Sequence, residues 1–215
     1  LYLFLFTFIS LSAIGQTATK PPGQGKATDP YLISSLNELY WVSEQTFSTL
    51  DWSDGKYFLQ TKDIDASDTT NWSNGWIPIG GRNSQTSFVD NYIFKGTYNG
   101  DNHSISNIFV SSGISRYNGL FGLTLNSVII NLKVSNVSIS SNAAGTGSLV
   151  GKNGGTVYNC SSTGTITSTA NTTGGLVGQN YPKPAKIQAS YSNCSVYSDK
   201  DQTGGLVGLN QQQIL

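Results

Sequence analysis

Apolar positions along this chain recur in short blocks, never in the long stripes of an amphipathic helix. Four blocks share one shape: Gly119-Leu120-Phe121-Gly122, Ser148-Leu149-Val150-Gly151, Gly175-Leu176-Val177-Gly178 and Gly205-Leu206-Val207-Gly208, with final glycines 29, 27 and 30 residues apart. A second block precedes each: Ile105-Ser106-Asn107-Ile108, Ile129-Ile130-Asn131-Leu132, Val157-Tyr158-Asn159-Cys160 and, weakly, Ile187-Gln188-Ala189-Ser190. Two landmarks keeping a period of about 28 residues mark a repeat protein. Inside each repeat, runs with period-two alternation (Leu132 and Val134, Thr165-Ile166-Thr167, Asn193-Cys194-Ser195-Val196) are separated by Gly, Asn and Ser. Such runs predict short strands joined by turns. One repeat cannot bury its own apolar face, so the units must stack. The expected architecture is all-β, a parallel β-solenoid with Leu and Val inside and Ser, Thr and Asn outside. A β-propeller needs about 40 residues per blade and does not fit.

The chain upstream reads differently. Residues 16–28 hold a Pro/Gly-rich linker (Lys20-Pro21-Pro22-Gly23-Gln24-Gly25), and residues 29–104 read as an N-terminal cap with the first coils. Asp29-Pro30-Tyr31-Leu32-Ile33 predicts a first strand. Ser35-Leu36-Asn37-Glu38 has the form of a capping box and predicts a helix to about Phe47, with Leu36, Leu39, Tyr40 and Val42 turned inward. A short helix there would cover the open edge of the first coil. Residues 105–215 carry the repeats, and the last one is expected to continue into a longer protein.

These residues resemble the GLUG-motif repeat proteins of bacteria, whose signature is Gly-Leu-hydrophobic-Gly. The upstream half supports the resemblance through Tyr57-Phe58-Leu59-Gln60, Asp63-Ile64-Asp65, Trp76-Ile77-Pro78-Ile79-Gly80 and Phe94-Lys95-Gly96-Thr97-Tyr98-Asn99-Gly100. It covers roughly residues 25 to 210. The resemblance implies a right-handed parallel β-helix in exported or surface proteins, often adhesin-like, and assigns no catalytic residue. Ser148 departs from the motif's glycine, and Ala189-Ser190 stands where the third repeat has Asn159-Cys160.

Composition narrows the function. Ser, Thr and Asn make up 69 of 215 residues, charged residues only 11%, and the formal net charge is zero. Nucleic-acid binding rests on a cationic surplus that displaces counterions, so nucleic acid is not an expected partner. Leu1 to Ile14 is almost wholly apolar but shorter than the roughly 20 residues of a membrane span. It matches the core of a secretory signal peptide, with Ala13 and Gly15 as small residues before a mature start at Gln16. The expectation is a secreted or cell-surface protein whose mature chain has no membrane span.

Candidate chemistry is sparse. His103 is the lone histidine, within turn-forming Asn99-Gly100-Asp101-Asn102, and reads as a turn residue. Asp63, Asp65 and Asp68 are the densest carboxylate group and the candidates for calcium, which needs about six to eight oxygen ligands. Their default is solvated turn carboxylates, and no cofactor is expected. The four tryptophans fall between residues 41 and 76. Trp52, Trp72 and Trp76 sit among Ser, Asp and Asn and are the candidates for a sugar platform, while packing beneath the cap is the competing expectation. Thr163, Thr165, Thr167 and Thr169 alternate as in ice-binding solenoids, though in one repeat only. The function expected is non-enzymatic: a polar surface for adhesion or for weak contact with extracellular glycans or surface proteins. The alternative is a polysaccharide lyase or glycoside hydrolase on the same fold.

Two geometric expectations follow from the repeat alignment. Leu120, Leu149, Leu176 and Leu206 should stack inward. Cys160 should lie over Ser190 and Cys194 over Gly164, about four residues or ~13 Å apart, too far for a disulfide.

Overall fold

The computed structural model describes residues 16–81, 92–111 and 115–215. The apolar run expected to be a signal peptide lies outside these residues. The helix spans Leu36–Ser48, one residue beyond the expected end. Ser35 caps it, its Oγ accepting from the Glu38 N–H at 3.3 Å. The reciprocal half of the expected capping box is displaced by one residue, because Glu38 accepts from the Ser34 N–H (2.7 Å) and hydroxyl (2.9 Å). Leu39, Tyr40 and Val42 are buried, and the Ser43 hydroxyl donates to the Ile77 carbonyl at 2.8 Å. The helix is thereby fixed to the segment Trp76–Gly80, which itself bridges to the first repeat through Ile79 and Phe121.

Beyond the cap the chain winds through three parallel sheets. The longest runs Tyr31–Ile33, Tyr57–Gln60, Thr97–Asn99, Phe121–Ile130, Val150–Tyr158, Val177–Asn180 and Val207–Asn210, with Lys186–Gln188 and Gln213–Ile214 continuing beside it. The second holds Ile64–Asp65, Ser104–Ser106, Lys133–Ser141, Ser161–Ser168 and Tyr191–Ser198, with Phe109–Val110 also on Lys133–Ser141. The third stacks Tyr117–Asn118, Gly145–Thr146, Thr173–Gly174 and Thr203–Gly204. The chain is therefore a parallel β-solenoid with one helix at its N-terminal end. Phe121, Val150, Val177 and Val207 pair in one column, so the spacing of the sequence blocks is the spacing of the coils.

The core follows from that register. Leu120, Leu149 and Leu176 are fully buried, and Leu206 packs partly buried against them in the last described coil. Backbone bonds tie the column together: Leu149 N–H to the Leu176 carbonyl at 3.0 Å, and Leu176 N–H to that of Leu206 at 2.9 Å. The second sheet buries Val134, Ile139 and Ile166 on its inner face.

The final glycine of each block has a steric cause. The third sheet folds back against the long sheet at this column. A Cβ on Gly151 would stand 2.7 Å from the Asn118 nitrogen, and one on Gly178 2.5 Å from the Thr146 nitrogen. Only a hydrogen side chain lets the two backbones approach so closely. Ser148, where the motif has glycine, is accommodated because its hydroxyl donates to the Gly175 carbonyl at 2.6 Å.

One part of the expected repeat alignment is corrected. Ile129, Val157 and Ile187 stand in one column as expected, Val157 pairing with both others, but the residue preceding them in the column is Tyr98, not Ile105. Ile105 instead pairs with Val134 in the second sheet. Two different corners use the same Asn signal, because both need a left-handed residue: φ is 61° at Asn107 and 53° at Asn131.

Candidate functional site

Asparagine ladders line the corners of the solenoid. At one corner Asn159 Nδ2 donates to Asn131 Oδ1 (2.8 Å), whose own Nδ2 donates to Asn99 (3.2 Å). At another, Asn136 donates to Asn107 at 2.6 Å, and Asn107 donates to Asp65 Oδ1 at 2.8 Å. A third ladder is buried at Asn153 and Asn180 and ends at the exposed Asn210. Asn153 Nδ2 donates to Asn180 Oδ1 at 2.9 Å, and Asn180 donates to Asn210 at 2.8 Å. The Thr124 hydroxyl donates to Asn153 at 3.1 Å and begins this row. Sequence reading missed these buried residues. The signal was present, since each Asn stands two residues after the final glycine of its block, but alternation assigns polar residues to the outside.

The ladders settle the place of the carboxylates. Asp65, a calcium candidate, is the first rung of the Asn107–Asn136 ladder and also accepts from the Ser67 N–H at 3.0 Å. The Asn107 amide, with the Ser67 N–H, holds its carboxyl below the usual carboxylate range. Asp63 accepts from the Ser104 N–H at 2.7 Å, with His103 Nδ1 at 3.4 Å from the same oxygen. The Ser104 N–H is the main cause of its lowered pKa. Asp68 is exposed on the short 3-10 turn Ser67–Asn71. Among the described residues no three His, Cys, Asp or Glu side chains gather as a metal site. His103 closes a turn, its N–H donating to the Gly100 carbonyl at 2.8 Å after Asp101 and Asn102 adopt positive φ.

The tryptophans divide. Trp76 is fully buried, with Nε1 donating to the Leu120 carbonyl at 3.0 Å, and Trp72 is 7% exposed against Tyr40. Burial removes both from a sugar platform, because their faces are covered by the cap. Trp52 keeps part of its surface, yet it stacks on Tyr31 with centroids 6.0 Å apart and carries Lys56 Nζ at 5.3 Å from its ring. The threonine row is interrupted as well: Thr165 lies between Ser138 and Ser195, and Thr167 between Ser140 and Tyr197. Cys160 and Cys194 are free thiols in the expected register, Cys194 over Gly164.

Nothing in the sequence reading marked the open groove of about 570 Å³ beside the third sheet. Asn142, Asn171, Thr172, Gln179, Tyr181 and Gln202 contribute to its walls. Gln179 is 9% exposed and donates both amide hydrogens, to the Ala144 carbonyl (2.8 Å) and to the Thr172 hydroxyl (2.8 Å). Lys152 Nζ lies at the edge, 4.8 Å from the Tyr181 ring centroid and 5.2 Å from that of Tyr117.

Comparison with known proteins bears on family and fold. The family model described as "The GLUG motif" matches residues 142–167. Halomucin from Haloquadratum walsbyi is 34% identical over 160 residues, covering 73% of this chain and 2% of that protein's length. Among solved structures, that of a "putative immunoglobulin A1 protease from Bacteroides ovatus" superposes with a TM-score of 0.64 at 22% identity, over 92% of this chain and 66% of that one. At that identity the likeness shows the fold alone. With the motif matched at 142–167 and its Gly-Leu-hydrophobic-Gly block returning in register from coil to coil, the repeats of this chain are GLUG-motif repeats.

Proposed function

We propose that this chain is part of an exported surface protein and serves there as a non-catalytic scaffold. Its polar faces would make weak, repeated contacts with extracellular glycans or surface proteins, as in adhesion. The observation that carries the reading is the outer face of the second sheet. Thr163, Thr165 and Thr167 are exposed, with Ser138, Ser140, Asn193 and Ser195 exposed on the flanking strands. Around these residues that face offers mainly neutral hydroxyls and amides; its exposed carboxylate, Asp65, lies on the strand at the far edge of the sheet and is bonded to Asn107 and Ser67. The relationship to Halomucin and the apolar N-terminal run support a surface location. No helix among the described residues is long and apolar enough to cross a membrane.

A polysaccharide lyase or glycoside hydrolase on the same fold is the competing reading, and fold does not choose between them. Location is tested by protease shaving of intact cells that produce the full-length protein. Peptides from residues 105–215 released without lysis support the scaffold at the surface. Peptides appearing only after lysis would sink it.

A further inference from the structure

We propose that the groove bounded by Asn171, Gln179, Tyr181 and Gln202 binds a neutral oligosaccharide. The inference rests on the surface-scaffold reading only for where such a sugar would be met.

The lining chemistry selects the ligand. Asn142, Asn171, Gln179 and Gln202 bring four carboxamides to one groove. Asn142, Asn171 and Gln202 carry both donor and acceptor, the pairing that adjacent sugar hydroxyls require, Gln179 presents its acceptor, and none carries charge. The Tyr181 ring and the aliphatic side chains of Ala144 and Leu209 supply apolar surface for the C–H face of a pyranose. No Asp, Glu, Lys or Arg lines the groove. The Lys152 ammonium is held against the rings of Tyr117 and Tyr181. These features favour a neutral sugar over an acidic one.

The site is also preorganised. With both amide hydrogens of Gln179 engaged by Ala144 and Thr172, its Oε1 is held as a fixed acceptor. Gly145 makes room for that side chain, since a Cβ there would stand 3.3 Å from Gln179 Cδ. Thr172 has φ 61°, a left-handed conformation that β-branched residues rarely adopt, and Gln202 repeats it at 60° in the next coil. The volume of about 570 Å³ falls within the range of small-ligand sites and suits two or three sugar units. The groove is open, so a longer glycan could run out of it.

The test uses the 215-residue chain on an array of immobilised neutral di- to tetrasaccharides (gluco, manno, galacto and N-acetylhexosamine series) beside uronic-acid and sialylated counterparts. The expected result is retention on at least one neutral series. Tyr181→Ala and Asn171→Ala should each weaken affinity by at least about tenfold in calorimetry. Asn171 is exposed on the rim, so its variant reports on binding even if Tyr181→Ala unfolds. Trp52→Ala should leave binding within about twofold. Three results overturn the proposal: no neutral series retained at millimolar sugar, retention of acidic glycans alone, or retention lost in Trp52→Ala and kept in both groove variants. A chain found at the cell surface that fails on the array removes this inference and leaves the scaffold standing; binding by a chain that is not at the surface does the reverse.

Discussion

Cys160 and Cys194 share a solenoid but not an environment. Burial pushes the Cys160 thiol up to about 12, while Cys194 is partly exposed beside the Ser162 hydroxyl. Iodoacetamide at mildly alkaline pH should therefore modify Cys194 alone in the native protein and both residues in denaturant, as read by peptide mass spectrometry. Equal native labelling would show that the coil register is wrong. Asp65 gives a second test at this scale. The Asn107 amide holds its folded pKa below that of an ordinary carboxyl, so the stability it contributes is full above the ordinary carboxylate range and lost as pH falls through the folded pKa. The gap in melting temperature between wild type and Asp65→Asn should be open at neutral pH and close as acid protonates the carboxyl. A gap independent of pH would deny the Asn107–Asp65 bond its role. Ala189 occupies the left-handed corner position that Asn131 and Asn159 fill in the two coils before it, with φ 48°. Ala189→Asn should raise stability by about 1 kcal/mol, by easing that conformation and adding a rung.

Among the elements, the fold-back of the third sheet on the glycine column is what distinguishes this solenoid from a plain stack of strands. Gly151→Ala should cost about 3 kcal/mol, since its Cβ meets backbone at 2.7 Å, whereas Gly205→Ala, with nothing within 4 Å, should change stability by less than about 0.5 kcal/mol. Chemical denaturation of the pair separates a steric requirement from a general preference for glycine. The buried ladder is the other element-level device. Asn153→Ala should cost about 2–3 kcal/mol, because the Gly155 N–H and Asn180 Oδ1 would each lose a partner. Hydrophobic spacing makes the columns of Leu and Val legible in the sequence, because burial of those residues is what sets the register. It could not reveal Asn153 or Asn180, whose burial is compensated by amides in neighbouring coils rather than by apolar contact. The same blindness placed Ile105-Ser106-Asn107 in the wrong column.

At the scale of the molecule, a solenoid's stability is close to a sum over coils and their interfaces. Leu176 lies in the middle of the inward column, so Leu176→Asp should destabilise by about 3–5 kcal/mol through lost burial and an unpaired charge. The helix at Leu36–Ser48 is legible from its capping residues, and its buried Leu39, Tyr40 and Val42 join the hydrophobic core. The candidate site was far less legible. Trp72 and Trp76 attracted attention by their polar neighbours in sequence, yet the cap covers them. The groove assembles from single Asn, Gln and Tyr residues on different coils, which no local motif brings together. The most direct test of the scaffold account is an activity assay of the 215-residue chain on pectic and other acidic polysaccharides, with and without calcium, followed by the absorbance of unsaturated sugars and by product sizing. The account predicts intact polymer under both conditions; calcium-dependent release of unsaturated sugars, lost in Asp65→Asn, would contradict it.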